Sequence, residues 1–150
     1  MGTFDPTTFL DVTVNESNST RSTPVPPGEY NAVAGEPKVR FGEKNGNVWA
    51  ALDIPWEIDG NAYPAVKEKT GRDQNQVKQG IFLDVTESGG LDTGNGKNVQ
   101  LGKLREALGL NVPGQPFSIR QIHGRVAKVS VQHRIDGDVI YADVKAVAKA

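Results

Sequence analysis

The sequence predicts a mainly β fold: a small, closed or nearly closed β-barrel of about five strands with one principal α-helix. Two strong hairpin signals, Asn45-Gly46 and Asp136-Gly137, each lie between alternating apolar and polar runs. Turn signals recur at short intervals, and only one segment shows clear helical periodicity. The length of 150 residues suits one domain with a core of its own.

The chain is predicted to divide into a flexible N-terminal arm, residues 1–28, and a barrel domain, residues 29–150. The arm is rich in Ser, Thr, Asn and Pro, and it has too little apolar content to fold alone. A few apolar side chains could still anchor it on the body or on a neighbouring subunit, namely Phe4, Phe9, Leu10, Val12 and Val14. Assembly into a homo-oligomer through the arm is therefore one expectation.

The first hairpin surrounds the Asn-Gly turn. Strand-like residues run over 29–41 with a break at Gly35 and Pro37, and the returning strand covers 48–58. Proline cannot donate a ladder hydrogen bond, so Pro55 is expected to interrupt that strand or to place it at an edge.

The register of this hairpin separates an inner face from an outer face. Phe41 is predicted opposite Ala50 on the inner face. Trp49 shares the outer, polar face with Arg40, and an aromatic ring beside a cation is typical of proteins that bind single strands without sequence preference. The alternative is that the arm or the segment 59–80 covers Trp49.

The middle of the chain offers weaker signals. Residues 59–80 are polar and predict a long loop, which in a compact domain is usually functional or mobile. The cations of this segment are Lys67, Lys69, Arg72 and Lys78. A third strand is predicted over 81–87, followed by a glycine-rich turn over 88–96.

One helix is predicted after that turn. Asn98 can cap it, and Gly109 suits the position just after its end. Its apolar stripe consists of Leu101, Leu104, Ala107 and Leu108.

The last hairpin joins residues 125–134 to residues 139–146. A two-residue turn at Asp136-Gly137 would place Lys128 opposite Lys145, a pairing that a bound phosphate would stabilise. The side chains predicted to face the core are Ala127, Val129, Val131, Ala142 and Val144. Those predicted to face outward are Lys128, Ser130, Gln132, Arg134, Tyr141, Asp143 and Lys145. This outer face is either a binding surface or simply a solvated one.

Charge is distributed unevenly along the chain. Residues 97–150 contain nine Lys/Arg against four Asp/Glu, whereas residues 1–96 contain eight against fourteen. A basic half of this kind suggests a polyanionic partner.

The chain has no cysteine, so disulfides and thiolate metal sites are excluded. No signal peptide or membrane-spanning run is recognisable, and we expect a cytoplasmic protein that contacts no membrane.

No catalytic or cofactor motif holds up. Asp92-Thr93-Gly94 matches the core of the aspartic-protease motif but lacks the apolar strand that should precede it. His123 and His133 lack the neighbouring carboxylates of a metal site or a catalytic triad. We therefore expect no enzyme activity, no metal and no cofactor.

Three segments resemble a family of phage-encoded proteins with an OB-like fold that bind single-stranded DNA. They are Pro27-Gly28-Glu29-Tyr30, the helix at 101–110, and the run at 124–133 before the closing strand. The resemblance covers roughly residues 25–148. It implies an OB-like barrel that coats single strands in phage replication or recombination, inside an infected bacterial host and beside the proteins of those processes. Many such binders end in an acidic tail that recruits partners; this chain ends in a segment with two lysines, so recruitment by a tail is not expected.

The first functional hypothesis is thus a non-enzymatic single-stranded DNA-binding protein. Trp49 and Tyr141 would stack on bases. The residues expected to hold phosphates are Arg40, Lys128, Arg134 and Lys145, while those expected to close over the strand are Lys67, Lys69 and Arg72. The second hypothesis is a phage virion protein, either a capsid-decorating or a tail-associated β-module, with the Trp49 face as an interface.

Overall fold

The computed structural model describes residues 4–18 and 22–150. A mainly β fold is confirmed: six strands form one sheet. They are β1 (Gly28–Ala34), β2 (Lys38–Lys44), β3 (Asn47–Asp59), β4 (Gln74–Leu83), β5 (Val126–Asp136) and β6 (Val139–Ala148). The helices are α1 (Pro6–Phe9), α2 (Pro64–Thr70) and α3 (Val99–Ala107), with a 3-10 turn at Ile119–Ile122.

The strands follow the order β1-β5-β6-β4-β3-β2, and β1 also pairs with β3. The second pairing joins Val33 to Glu57, so that β1, β3, β4, β6 and β5 form a closed circuit of pairings, with β2 outside it on β3. All pairs are antiparallel except β4 with β6, which run parallel where Lys78 lies opposite Asp143.

The core lies inside this circuit. Alternate residues of β3 point inward, and Trp56 is completely buried there. Its indole Nε1 donates a hydrogen bond of 2.9 Å to Oε1 of Gln79 on β4, which satisfies both polar groups. α3 adds Leu101 and Leu104 to the same cluster.

The predicted break after β1 is confirmed at Gly35. Its N–H donates to the carbonyl of Pro55 at 2.7 Å, and a Cβ at Gly35 would lie 2.9 Å from Cγ of that proline. The prediction that Pro55 interrupts the strand is wrong, because β3 runs through it. β3 pairs with β2 up to Asp53 and with β1 from Trp56 onward. Pro55 lies between these two pairings, where the N–H that proline lacks is not needed for a ladder hydrogen bond.

The predicted long loop over 59–80 is wrong. β3 extends to Asp59, α2 packs on the core through the buried Val66, and β4 begins at Gln74 rather than at Ile81. Two of the inward positions of β4 are occupied by the amides Asn75 and Gln79. Because these buried residues are polar, the sequence of β4 does not show the alternation of apolar and polar residues that predicts a strand. These amides form hydrogen bonds inside the fold, as when Asn75 Nδ2 donates to the carbonyl of Arg72 at 3.0 Å.

The predicted helix is confirmed at Val99–Ala107, and Gly109 follows it with a left-handed φ of 71°. Asn98 occupies the N-cap position, but its side chain makes no capping bond to the helix. Instead its Oδ1 accepts from the N–H of Asp84, and its Nδ2 donates to the carbonyls of Asp84 and Asp92, all at 2.8 Å. Asn98 therefore ties the start of α3 to the end of β4.

The two hairpin turns differ. Asn45 and Gly46 both have positive φ, as a type I′ turn requires, and the predicted pairing of Phe41 with Ala50 is confirmed. The prediction that Phe41 lies on an inner face is wrong: its side chain is 79% exposed, because β2 lies outside the closed circuit that surrounds the core. In the last hairpin the turn consists of Gly137 and Asp138, one residue later than predicted.

The later turn changes the register of the last hairpin. Gly137 has a φ of 60°, which suits a turn with glycine at its first central position. With this turn and a β-bulge near Ser130, Lys128 lies opposite Ala148, so the predicted pairing with Lys145 is wrong. The predicted inward side chains of this hairpin are buried or half-buried.

The end of the predicted arm belongs to the core. Val25 is only 2% exposed, and its carbonyl lies 2.8 Å from Nε2 of His133. The apolar side chains of residues 4–14 are exposed. Residues 1–3 and 19–21 of the arm lie outside the described residues, and the division at residue 28 stays a prediction. None of the helices within residues 4–18 and 22–150 has the length and apolar character needed to cross a membrane.

Candidate nucleic-acid interface

The outer face of β2, β3 and β4 carries an open pocket of about 590 Å³ beside the Asn45-Gly46 turn. Two aromatic rings, two cations and two amides line it: Trp49, Phe82, Arg40, Lys44, Asn45 and Asn47. The pocket thus combines flat apolar surfaces with positive charge and hydrogen-bonding groups.

Trp49 is half-buried because its indole lies on the backbone of Gly42, directly across the hairpin. A Cβ at Gly42 would lie only 2.7 Å from the ring atom Cζ2. The guanidinium carbon of Arg40 lies 5.9 Å from the ring centre, within the range of a cation–π contact. The indole is therefore supported by the strand beneath it while still reaching the pocket.

Phe82 is the second ring of the pocket, and sequence reasoning missed it. It lies on β4 opposite Ala51, and its side chain is 76% exposed. Starting the strand at Gln74 would have revealed it, since the residues alternating with the buried ones are Gln76, Lys78, Gly80 and Phe82.

Arg40 does not extend freely into solvent. Its Nε donates to Oδ2 of Asp53, and its Nη2 donates to Oδ1 of the same carboxylate at 3.2 Å. This hydrogen bonding lowers the pKa of Asp53, to which the positive charges of Arg40 and Lys78 also contribute. The same contact raises the pKa of Arg40.

The β5–β6 hairpin repeats this arrangement. Arg134 lies directly opposite Tyr141, and its guanidinium carbon is 4.4 Å from the ring centre. Its Nε donates to Oδ2 of Asp143 at 2.6 Å, which raises the pKa of Arg134. Tyr141 is 41% exposed, so part of its ring is accessible.

The two arrangements face each other across β4. Asp53 lies opposite Gly80 and Asp143 lies opposite Lys78, two residues apart on the same strand. Charges of alternating sign therefore cross the face in the order Arg40, Asp53, Lys78, Asp143 and Arg134. Lys78, which lies between the two carboxylates, was not among the predicted site residues.

Two other predicted phosphate ligands lie on the last hairpin. Lys128 is exposed on β5, between its neighbours Asn31 and Ala148. Lys145 is exposed at the bulge of β6, on a groove that it shares with Lys103 of α3. Both side chains are accessible to a ligand.

The structure does not bring the predicted cations around α2 to the Trp49 pocket. The helix follows the far end of β3, ten residues or roughly 33 Å from Trp49 along the strand. Lys67 pairs with Asp73 at 2.8 Å, and Nη2 of Arg72 donates to the carbonyl of Thr23 at 3.2 Å. Lys69 is exposed on α2.

The residues considered for catalysis take part in local structure. Asp92 accepts a hydrogen bond of 2.9 Å from the N–H of Gly94, as in an ordinary turn. Among the described residues, no group of three or more His, Asp or Glu side chains is placed to hold a metal ion.

The sequence was compared with protein-family models and with curated proteins, and neither comparison found a match.

Proposed function

We propose that this protein is a non-enzymatic single-stranded DNA-binding protein with an OB-like barrel. The observation that carries the proposal is the pocket in which Trp49 and Phe82 lie beside Arg40 and Lys44. Aromatic rings beside cations suit a ligand of alternating bases and phosphates, because the rings stack on bases of any sequence while the cations neutralise the backbone.

The strand connections support the OB-like description. An OB-fold is a five-stranded Greek-key barrel that binds oligonucleotides on its strand 2–3 face and on the loops after strands 1 and 4. If β1 and β2 are taken as one strand bent at Gly35, all six strands belong to the five members of the closed circuit, with α3 between the third and the fourth in chain order. The binding face then corresponds to β3 and β4, and the two loops correspond to the Asn45-Gly46 and Gly137-Asp138 turns.

The proposed roles follow from this placement. Trp49, Phe82 and Tyr141 stack on bases, and the phosphates are held by Arg40, Lys78, Lys128, Arg134 and Lys145. Lys67, Lys69 and Arg72 can act only on a strand that continues past the far end of β3. By the resemblance, the protein would coat single strands in phage replication or recombination, in the cytoplasm of an infected host and alongside the proteins of those processes.

The second candidate is a virion protein that uses its apolar surfaces for assembly. Phe41 is 79% exposed and Val48 is 67% exposed on the hairpin face opposite Trp49, and the arm adds exposed apolar residues such as Leu10. Apolar patches of this kind often mark interfaces. Recovery of the protein in purified virions, together with no affinity for oligonucleotides, would favour this candidate.

The first proposal is tested with fluorescently labelled oligo-dT, measured by anisotropy at several salt concentrations. Trp49→Ala should weaken binding by about 1–3 kcal/mol, or roughly 5- to 150-fold, because one stacking surface is lost. Phe41→Ala is the matched control: it removes an exposed aromatic ring from the other face of the same hairpin and should leave affinity within about twofold.

Salt dependence gives an independent criterion. The logarithm of the binding constant should fall with the logarithm of salt concentration by about 0.7 for each neutralised phosphate. Binding that is indifferent to salt, or equal losses in the two variants, would contradict the proposal.

A further inference from the structure

The two arginines at the ends of this row of charges have the same kind of surroundings. Arg40 lies beside the ring of Trp49 and binds the carboxylate of Asp53. Arg134 lies over the ring of Tyr141 and binds the carboxylate of Asp143. We refer to these as the first and the second ring–arginine–carboxylate unit.

The units are built independently. The first joins β2 to β3 with its aromatic residue four positions before the carboxylate, while the second joins β5 to β6 with a spacing of two. Two different strand pairs thus place a ring, a guanidinium and a carboxylate together on one outer face. β4 separates the units, with Lys78 between their carboxylates.

In each unit the carboxylate occupies the place of an anionic ligand. Asp53 contacts Nε and Nη2 of Arg40, the planar edge that a guanidinium offers to carboxylates and phosphates alike. Both arginine side chains are more than half exposed, so a phosphate can approach the same edge from solvent. The Arg134–Asp143 pair is exposed on both sides, and exposed ion pairs are weak, so an incoming phosphate can displace Asp143. The Asp53 side chain is only 13% exposed, so in the first unit the phosphate reaches the pair from the exposed side of Arg40.

We infer that Asp53 and Asp143 are internal competitors for the phosphodiester groups of the ligand, each occupying the phosphate position of its arginine until a strand binds. This inference rests on the proposed single-strand binding. The arginines and rings supply the affinity, and the carboxylates reduce it and mark where two phosphates of the strand are seated.

The inference is tested with Asp53→Asn, Asp143→Asn and the double variant, using labelled oligo-dT. Each single substitution frees one arginine and should tighten binding by up to about fivefold, the upper range for an exposed ion pair. The salt slope should steepen by about 0.7 per variant, because a freed arginine neutralises one more phosphate. Asparagine has nearly the same shape as aspartate, and circular dichroism confirms that each variant is folded.

Glu57→Gln is the matched control. Glu57 lies on the same outer face of β3, but it accepts a hydrogen bond from Gln76 Nε2 at 3.0 Å rather than from an arginine. The Glu57→Gln substitution removes one negative charge without freeing a cation. The affinity for oligo-dT should therefore change less than twofold, and the salt slope should not change. If all three substitutions acted alike, general charge rather than competition would explain the effect, and the inference would be overturned.

Two other results also decide the matter. Unchanged or weaker binding by the Asp53→Asn and Asp143→Asn variants would mean that the carboxylates position the arginines, and it would overturn the inference while leaving the proposed function intact. If the wild-type protein does not bind oligo-dT, or binds it independently of Trp49, both the inference and the proposed function are overturned. In the wild type, binding of oligo-dT should also raise the pKa of Asp53, because a phosphate then occupies Arg40 in place of the carboxylate. NMR of the carboxyl group measures this pKa.

Discussion

At the scale of single residues, the contact between Gly42 and Trp49 sets the shape of the pocket. Gly42 leaves room for the indole to lie against the strand, since a Cβ there would come within 2.7–2.9 Å of three ring atoms. The ring of a β-strand tryptophan is thereby held flat rather than standing away from the sheet. In the proposed function, such support would lower the entropy lost on stacking of a base.

We expect Gly42→Ala to displace the indole of Trp49. The emission of this residue should shift to longer wavelength and become more accessible to acrylamide, while the completely buried Trp56 contributes a constant background. Gly80→Ala is the matched control on β4, where the nearest atom to an added Cβ is Oδ1 of Asp53 at 3.6 Å. Identical spectra for the two variants would show that Gly42 does not hold the ring.

At the scale of elements, Asn98 joins β4 to α3. Its side chain makes three hydrogen bonds to the chain around Asp84 and Asp92, and its backbone N–H donates to Oδ2 of Asp84 at 2.8 Å. It also has a left-handed φ of 51°. Asparagine tolerates this conformation better than most residues, so one side chain supplies both the bonds and the turn.

Asn98→Ala should lower the free energy of unfolding by about 2–4 kcal/mol, because hydrogen bonds are lost and alanine is strained at this φ. Asn98→Gly loses the same bonds without the strain, and it should be roughly 1 kcal/mol more stable than the alanine variant. Urea denaturation followed by circular dichroism measures both. A loss below about 0.5 kcal/mol in the alanine variant would show that the connection is unimportant.

At the scale of the whole molecule, the segment before β1 closes one side of the core. The side chain of Val25 is buried in the core. Three hydrogen bonds hold the backbone around it: His133 with Val25, Tyr30 with Pro26, and Arg72 with Thr23. This segment therefore belongs to the folded body, although its composition resembles that of the arm.

Val25→Ala should lower the free energy of unfolding by about 1–3 kcal/mol through the cavity that it leaves. Val14→Ala makes the same chemical change at a residue that is 73% exposed, and it should alter stability by less than about 0.5 kcal/mol. Urea denaturation of the two variants measures the difference. Equal stabilities would mean that residues up to 27 do not contribute to the core.

Local signals predicted much of this architecture. The Asn45-Gly46 turn fixed the register of its hairpin, and the apolar stripe from Leu101 to Leu108 identified α3. The first part of β4 was not predicted, because Gln79 is a polar residue at a buried position. Its partner is Trp56, twenty-three positions earlier in the chain, to which it is hydrogen-bonded. No local pattern could indicate that this glutamine has a partner. The last turn was misplaced by one residue because glycine can take either central position of a two-residue turn.

The sequence by itself determined the mainly β fold, the alternation that puts Trp49 and Tyr141 on outer faces, and the basic character of the last third. These follow from patterns within one strand or one turn, where neighbours in sequence are neighbours in space. Only the tertiary structure decided that Phe82 joins Trp49, that Asp53 and Asp143 bind the two arginines, and that Lys78 lies between them. These contacts depend on how β4 is placed against β3 and β6, and strand order and register are set by packing of the whole core.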